Sequence, residues 1–168
     1  MLSELIRHSN GAPCSFFWST SPTINNLFDS SLKSSKISSI EVDKNRDQKA
    51  DRLELNIVVP LDTGESIAAM SAIVFFDVAL HDKAKYKFDT LVFASHESTF
   101  SMQHLLMDGE LTLAQRWALP SKGSYRTPYA GDELLSISKL TTANDVAFTT
   151  LLQKNADRNC TYLASCIV

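Results

Sequence analysis

Leu53-Glu54-Leu55-Asn56-Ile57-Val58-Val59-Pro60 is the stretch that decides the fold class. Apolar and polar residues alternate as far as Asn56, and the run then becomes wholly apolar. A period of two puts Leu53, Leu55 and Ile57 on one side of an extended chain and Glu54 and Asn56 on the other. That is the pattern of a strand with one covered face. Pro60 cannot donate to a sheet ladder and ends it. Asp62-Thr63-Gly64-Glu65 has the composition of a turn, and residues 66–80 then run back as a second long strand. The spacing predicts a hairpin of the two, with Ile73, Val74, Phe75 and Phe76 in the core.

Alternation recurs on both sides of this pair. Residues 85–95 place Tyr86, Phe88, Thr90, Val92 and Ala94 on one parity, and residues 99–106 read as a weaker strand. Asp108-Gly109 between the apolar runs 105–107 and 110–113 predicts a two-residue hairpin turn. Residues 134–138 read as a short strand and residues 162–168 as the last one. Upstream, residues 14–20 are aromatic and strand-prone. Residues 1–12 read as a flexible lead-in ending in the turn Asn10-Gly11-Ala12-Pro13. Residues 21–39 hold seven serines and read as a long surface connection, with a strand starting near Ser38. A helix is predicted near 142–155: Thr141 or Thr142 caps it, Asp145 lies in its first turn, and Val146, Ala147, Phe148 and Leu151 fall on one side. Many short strands and one helix predict a mainly β fold, an antiparallel β-sandwich forming one domain over residues 13–168.

The chain has 168 residues, 44% of them hydrophobic and 21% charged, which suits a single buried core. The net charge is −3 and no basic run is present, which argues against nucleic acid as a partner. His8, His81, His96 and His104 fall in no HExxH pattern, and no GxSxG, P-loop or GxGxxG occurs. His96-Glu97-Ser98 reads as a polar turn at a strand end. The expectation is a protein that is not an enzyme. The apolar stretch 66–80 contains Asp77 and falls short of the ~20 residues that span a bilayer. The first eight residues lack the apolar region of a signal peptide. The chain as given reads as soluble and without an address of its own.

Residues 43–54 carry the strongest local signal. Asp43, Asn45, Asp47, Asp51 and Glu54 occupy loop positions 1, 3, 5, 9 and 12, and Lys49 supplies a backbone carbonyl at position 7. Calcium takes 6–8 hard oxygen ligands, and alternate residues of a tight loop point inward to provide them. Gln48 stands where the sharp turn of such loops takes glycine, and Lys44, Arg46, Lys49 and Arg52 offset the negative charge. Two readings stay open: a calcium loop at a strand entry, or an Asx-rich turn whose carboxylates bond their own backbone. Asn159-Cys160-Thr161 is a glycosylation sequon. Cys14, Cys160 and Cys166 form no CxxC pair. They read as small buried hydrophobes or, in an oxidising compartment, as a bridge from Cys14 to Cys160 or Cys166.

In the same order, these features resemble the transmembrane protein 231 family of the ciliary transition zone. Trp18-Ser19-Thr20-x-Pro22-x-x-Asn25-x-Leu27 is similar to that family's Trp-Ser-Thr-x-Pro signature. Asp43-x-Asn45-x-Asp47-x-Lys49-x-Asp51-x-Leu53, followed by a strand ending at Pro60-Leu61, resembles its acidic loop and strand. Gly109-x-Leu111-x-Leu113-x-Gln115 resembles the following hairpin, and Arg158-Asn159-x-Thr161 the helix-then-sequon segment. Many relatives have glycine where Gln48 stands here. The resemblance implies a large domain on the extracellular or luminal side, flanked in the family by two transmembrane helices that are not present in this chain. It implies a scaffold at the ciliary transition-zone membrane with no enzymatic activity. Its partners would be other transition-zone membrane and Meckel-complex proteins, and its role would lie in the diffusion gate and in cilium assembly. It makes Asn159 a glycan site and places the cysteines where disulfides form. A different class is a secreted, calcium-stabilised β-sandwich module for glycan or another ligand. An exposed aromatic row would favour that class, with Trp18 and Trp117 as the residues to inspect.

Overall fold

Most of the strands written in the alternation are present, but several pair with partners distant in sequence. The computed structural model describes residues 2–9, 12–48, 50–63, 65–82, 84–120 and 122–167. Within those spans it describes the side chains of residues 15–28, 32–100 and 102–161. The strands are β1 (Leu2–Ser9), β2 (Ala12–Ser19), β3 (Lys36–Val42), β4 (Arg52–Val58), β5 (Glu65–Leu80), β6 (Tyr86–Met102), β7 (Asp108–Gln115) and β8 (Cys160–Ile167). Two α-helices are described, α1 (Pro22–Asn25) and α2 (Phe148–Ala156). Four strands form one antiparallel sheet in the order β2-β1-β5-β6, while β3-β4 and β7-β8 are two-stranded ribbons. The mainly β, antiparallel class is thus as expected.

Both faces of the large sheet are covered. Register pairs Ile73 with Phe93 and Phe75 with Leu91, which puts these four on one face. There Ile73 and Leu91 pack with Phe17, Ile24, Leu134, Val146 and Leu151, so α1, α2 and the segment before α2 form a layer over the sheet. Phe93 meets Phe148 of α2 edge to face at 6.0 Å. The pairs Val78–Phe88 and Leu80–Tyr86 point to the opposite face. There Tyr86 and Phe88 pack with Cys160 and Leu113 of the β7-β8 ribbon. Sheet against ribbon supplies the sandwich element; helices cover the other side.

Six local expectations are corrected. Residues 2–9, expected as a flexible lead-in, form β1, hydrogen-bonded between β2 and β5. Their own alternation is irregular, and the two neighbouring strands supply what the local pattern lacks. Residues 21–39 are more than a surface connection: Ile24 on α1 is 1% exposed and sits in the core. The serines on either side hid a short apolar insert. The residue 53–59 strand pairs with β3 rather than with β5, so the chain changes sheets at Pro60. The strand expected over residues 85–95 and the first part of that expected over 99–106 merge into the single strand β6, which ends at Met102. Asp108-Gly109 opens β7, whose partner is β8 with Asp108 opposite Ile167. A two-residue turn needs a strand on each side, and residues 103–107 form none. Residues 134–138 are likewise no strand; a 3-10 turn runs over Ile137–Lys139.

The helix is where the periodicity puts it, in two pieces. Thr142 is the N-cap of a 3-10 turn, Ala143–Val146, and α2 follows. Asp145 Oδ2 accepts hydrogen bonds from the backbone N–H of Thr141 (3.0 Å) and Thr142 (2.8 Å) and from the Thr141 hydroxyl (3.2 Å). These bonds, the two backbone ones foremost, hold its carboxyl below the usual aspartate value.

Candidate functional site

The acidic loop joins β3 to β4 and is bonded to itself. Asp43 accepts backbone N–H groups from Arg46 (2.6 Å) and Asp47 (3.3 Å) on one oxygen and from Gln48 (2.8 Å) on the other. Asp51 accepts those of Lys44 (2.8 Å) and Asn45 (3.3 Å). Asn45 Oδ1 accepts from Asp47 N–H at 3.0 Å, and Asn45 Nδ2 donates to Asp47 Oδ2 at 3.3 Å. Arg46 and Gln48 take positive φ, 60° and 69°. Gln48 therefore adopts the left-handed conformation that glycine accepts more easily. The structure brings Asp43, Asn45, Asp47 and Asp51 into one turn. Glu54 is not among them: it lies on β4, ion-paired with Arg52 at 3.4 Å. Lys49 lies outside the described residues. Among the described residues no group of three or more His, Cys, Asp or Glu is placed to hold a metal ion. Short side chains close to successive amides favour the self-bonded Asx turn over ligand-directed carboxylates.

The ribbon that carries this loop has exposed apolar side chains. Register puts Leu53, Leu55, Ile57 and Ile37 on one face. Leu53 and Leu55 are exposed, as are Ile40 and Val58 on the other face. Among the described residues its strands pair with no other strand. Its base is clamped by Lys33, whose ammonium meets Glu65 at 2.5 Å and Asp62 at 3.2 Å. Desolvation pulls the Lys33 pKa down, but the bonds to Glu65 and Asp62 outweigh it and leave the value raised.

Sequence reasoning missed Arg158 as a structural centre. It follows α2 and is buried, with 6% exposure. Its Nη1 donates to Asp89 Oδ1 (2.8 Å) and to the Asp89 carbonyl (2.7 Å), and its Nη2 to the Asp132 carbonyl. The guanidinium lies 4.3 Å from the centre of the Tyr129 ring. The Tyr129 hydroxyl in turn accepts the Cys160 N–H at 3.0 Å. Asp89 faces Asp77 directly across the β5-β6 ladder, a like-charge pair that a cation offsets. Its other oxygen accepts Leu134 N–H at 2.5 Å. No local pattern announces this, because the partners lie 26 to 69 residues away.

The sequon and the cysteines sit beside this centre. Asn159 Oδ1 accepts the Trp117 N–H at 2.8 Å, and Thr161 is buried at the start of β8. Cys160 is a free, buried thiol, and burial raises its pKa. The side chains of Cys14 and Cys166 lie outside the described residues. Trp117 is exposed and Trp18 half-buried. The exposed aromatics Phe100, Trp117 and Tyr125 stand on β6, beyond β7 and in the loop after it, not in a row on one sheet face.

Taken together, the fold and its surfaces define a mainly β, antiparallel domain with a separate apolar ribbon and an ion-paired seam under its last strand. The sequence model of the family described as transmembrane protein 231 matches residues 5–167. The chain therefore belongs to the transmembrane protein 231 family. Transmembrane protein 231 of Xenopus tropicalis is 29% identical over 144 residues, covering 86% of this chain and 45% of that protein. The Gallus gallus protein of the same name is 32% identical over 108 residues, 64% of this chain and 34% of that one. The Mus musculus protein is 30% identical over 106 residues, 63% and 34%. The chain spans less than half the length of these relatives. No solved structure matches it. Among the described residues no helix is long and apolar enough to cross a membrane, which says nothing of a β-barrel.

Proposed function

We propose that this chain is the extracellular or luminal domain of a transition-zone membrane protein, a non-enzymatic scaffold acting through protein–protein contacts. The observation that carries the reading is family membership across residues 5–167. The β3-β4 ribbon supports the mode of action. Two strands alone are marginal in water, and this pair exposes Leu53, Leu55, Ile40 and Val58, so a partner that covers it gains apolar burial. The partners in this reading are other transition-zone membrane and Meckel-complex proteins, and the role is in the diffusion gate and cilium assembly. Membrane attachment belongs to segments flanking this region in the whole protein.

The direct test is localisation of the tagged full-length protein in ciliated cells. A ring at the ciliary base is the expected result; even spread over the plasma membrane would overturn the reading. Sidedness has its own test at Asn159. Enzymatic removal of N-glycans from the cell-expressed protein should increase its gel mobility, and Asn159→Gln should abolish that shift. An unglycosylated Asn159 would count against the proposed side of the membrane.

A further inference from the structure

We propose that Lys85, just before β6, together with Lys122, Ser124 and Arg126, forms a binding pocket for a phosphate- or sulfate-type oxyanion. A cavity of about 370 Å³ lies there, lined by Lys85, Lys122, Arg126, Ser124 and Asp82 among others. Three cations against one carboxylate is a local excess in a chain of net charge −3. Among the described residues none of the three cations is in an ion pair. The backbone of Lys85 and Arg126 is nonetheless fixed. Arg126 N–H donates to the Lys85 carbonyl at 3.0 Å, and Lys87 N–H to the Arg126 carbonyl at 2.9 Å. On the other side Tyr125 Oη lies 2.9 Å from His81 Nδ1. The loop bends at Gly123, with φ +119°, and a Cβ placed there would stand 3.8 Å from Arg126 Nη2. Glycine thus provides the bend and leaves the space beside the guanidinium open. Gathered cations that lack carboxylate partners repel one another, and an anion among them relieves that repulsion. The Arg126 fork matches two oxygens of a tetrahedral anion, the lysines supply point charges and the Ser124 hydroxyl donates a further bond. This pocket is separate from the β3-β4 ribbon, and the proposal does not rest on the scaffold reading.

The test is titration of the isotope-labelled 168-residue chain with inorganic phosphate and with sulfate, at constant ionic strength, read on backbone amide resonances. Saturable shifts at Gly123, Ser124 and Arg126 are expected. Arg126→Ala and, independently, Lys122→Ala should weaken binding about tenfold, the loss of one charge-assisted bond, with resonances elsewhere unchanged. Shifts that chloride reproduces, shifts that never saturate, or binding indifferent to both variants would overturn the proposal. Two further arms separate the sources of the anion. Binding to phosphatidic acid vesicles that inorganic phosphate competes away assigns a lipid headgroup. Binding of glycerol phosphate without vesicle binding assigns a soluble ester. Failure of inorganic phosphate, sulfate, vesicles and glycerol phosphate alike rejects the pocket as an anion site.

Discussion

Arg158 shows how much one buried charge can organise. It neutralises Asp89, which faces Asp77 across the ladder, and it ties β6 to the segment before α2 through the Asp132 carbonyl. Removing one partner of a buried pair leaves the other uncompensated, at a cost of about 3–5 kcal/mol. Arg158→Ala should lower the unfolding free energy by that order in urea titration. Arg158→Lys, which keeps the charge and loses the fork, should cost less. Equal losses for the two variants would show that charge is irrelevant to the role of this residue. At Asp43 the reasoning is local. It accepts three backbone amides in an exposed turn, so Asp43→Ala should cost about 1 kcal/mol and speed hydrogen exchange at Arg46 and Gln48. Because those carboxylate oxygens are already engaged, millimolar calcium should leave the melting temperature unchanged. A rise that Asp47→Ala abolishes would establish the calcium loop.

At the scale of elements, α2 is fixed by what it buries. Leu151 is 1% exposed and packs with Ile73 and Leu91, and the buried Thr90 hydroxyl donates to Asn155 Oδ1 at 3.3 Å. Leu151→Ala should destabilise by about 2–5 kcal/mol, the range for a large apolar side chain cut to a methyl in a core. The cap in front of it is sensitive to acid. Asp145 has a folded-state pKa below its ordinary value of 3.8. Its contribution is therefore complete above that value, and it is lost as pH falls from 3.8 through the lower folded value. Denaturation midpoints of Asp145→Asn and the parent chain should differ at neutral pH and converge in acid. The helical periodicity of residues 146–151 was readable from sequence because it repeats locally. The strand partners were not: alternation says that residues 52–58 are extended, but nothing in it says whether β3 or β5 lies beside them.

For the whole molecule the decisive strand is β1. Lying between β2 and β5, it is an inner strand of the large sheet. Deleting residues 1–11 should therefore cost cooperative thermal unfolding and leave β2 without its partner; a dispensable lead-in would leave the transition intact. The sequence by itself determined the mainly β class, the helix after Thr142, the turn-forming character of residues 43–51 and, through motifs in a fixed order, the family. Each of these is written in neighbouring residues, as a period, a cap or a short spacing. Tertiary structure alone decided that β1 is an inner strand, that β4 pairs with β3 and β7 with β8, and that Arg158 reaches Asp89 while Lys85 and Arg126 share a pocket. The β3-β4 pair is local in the chain, but alternation does not name a strand's partner. The other outcomes depend on residues far apart, and no short window of sequence contains both partners.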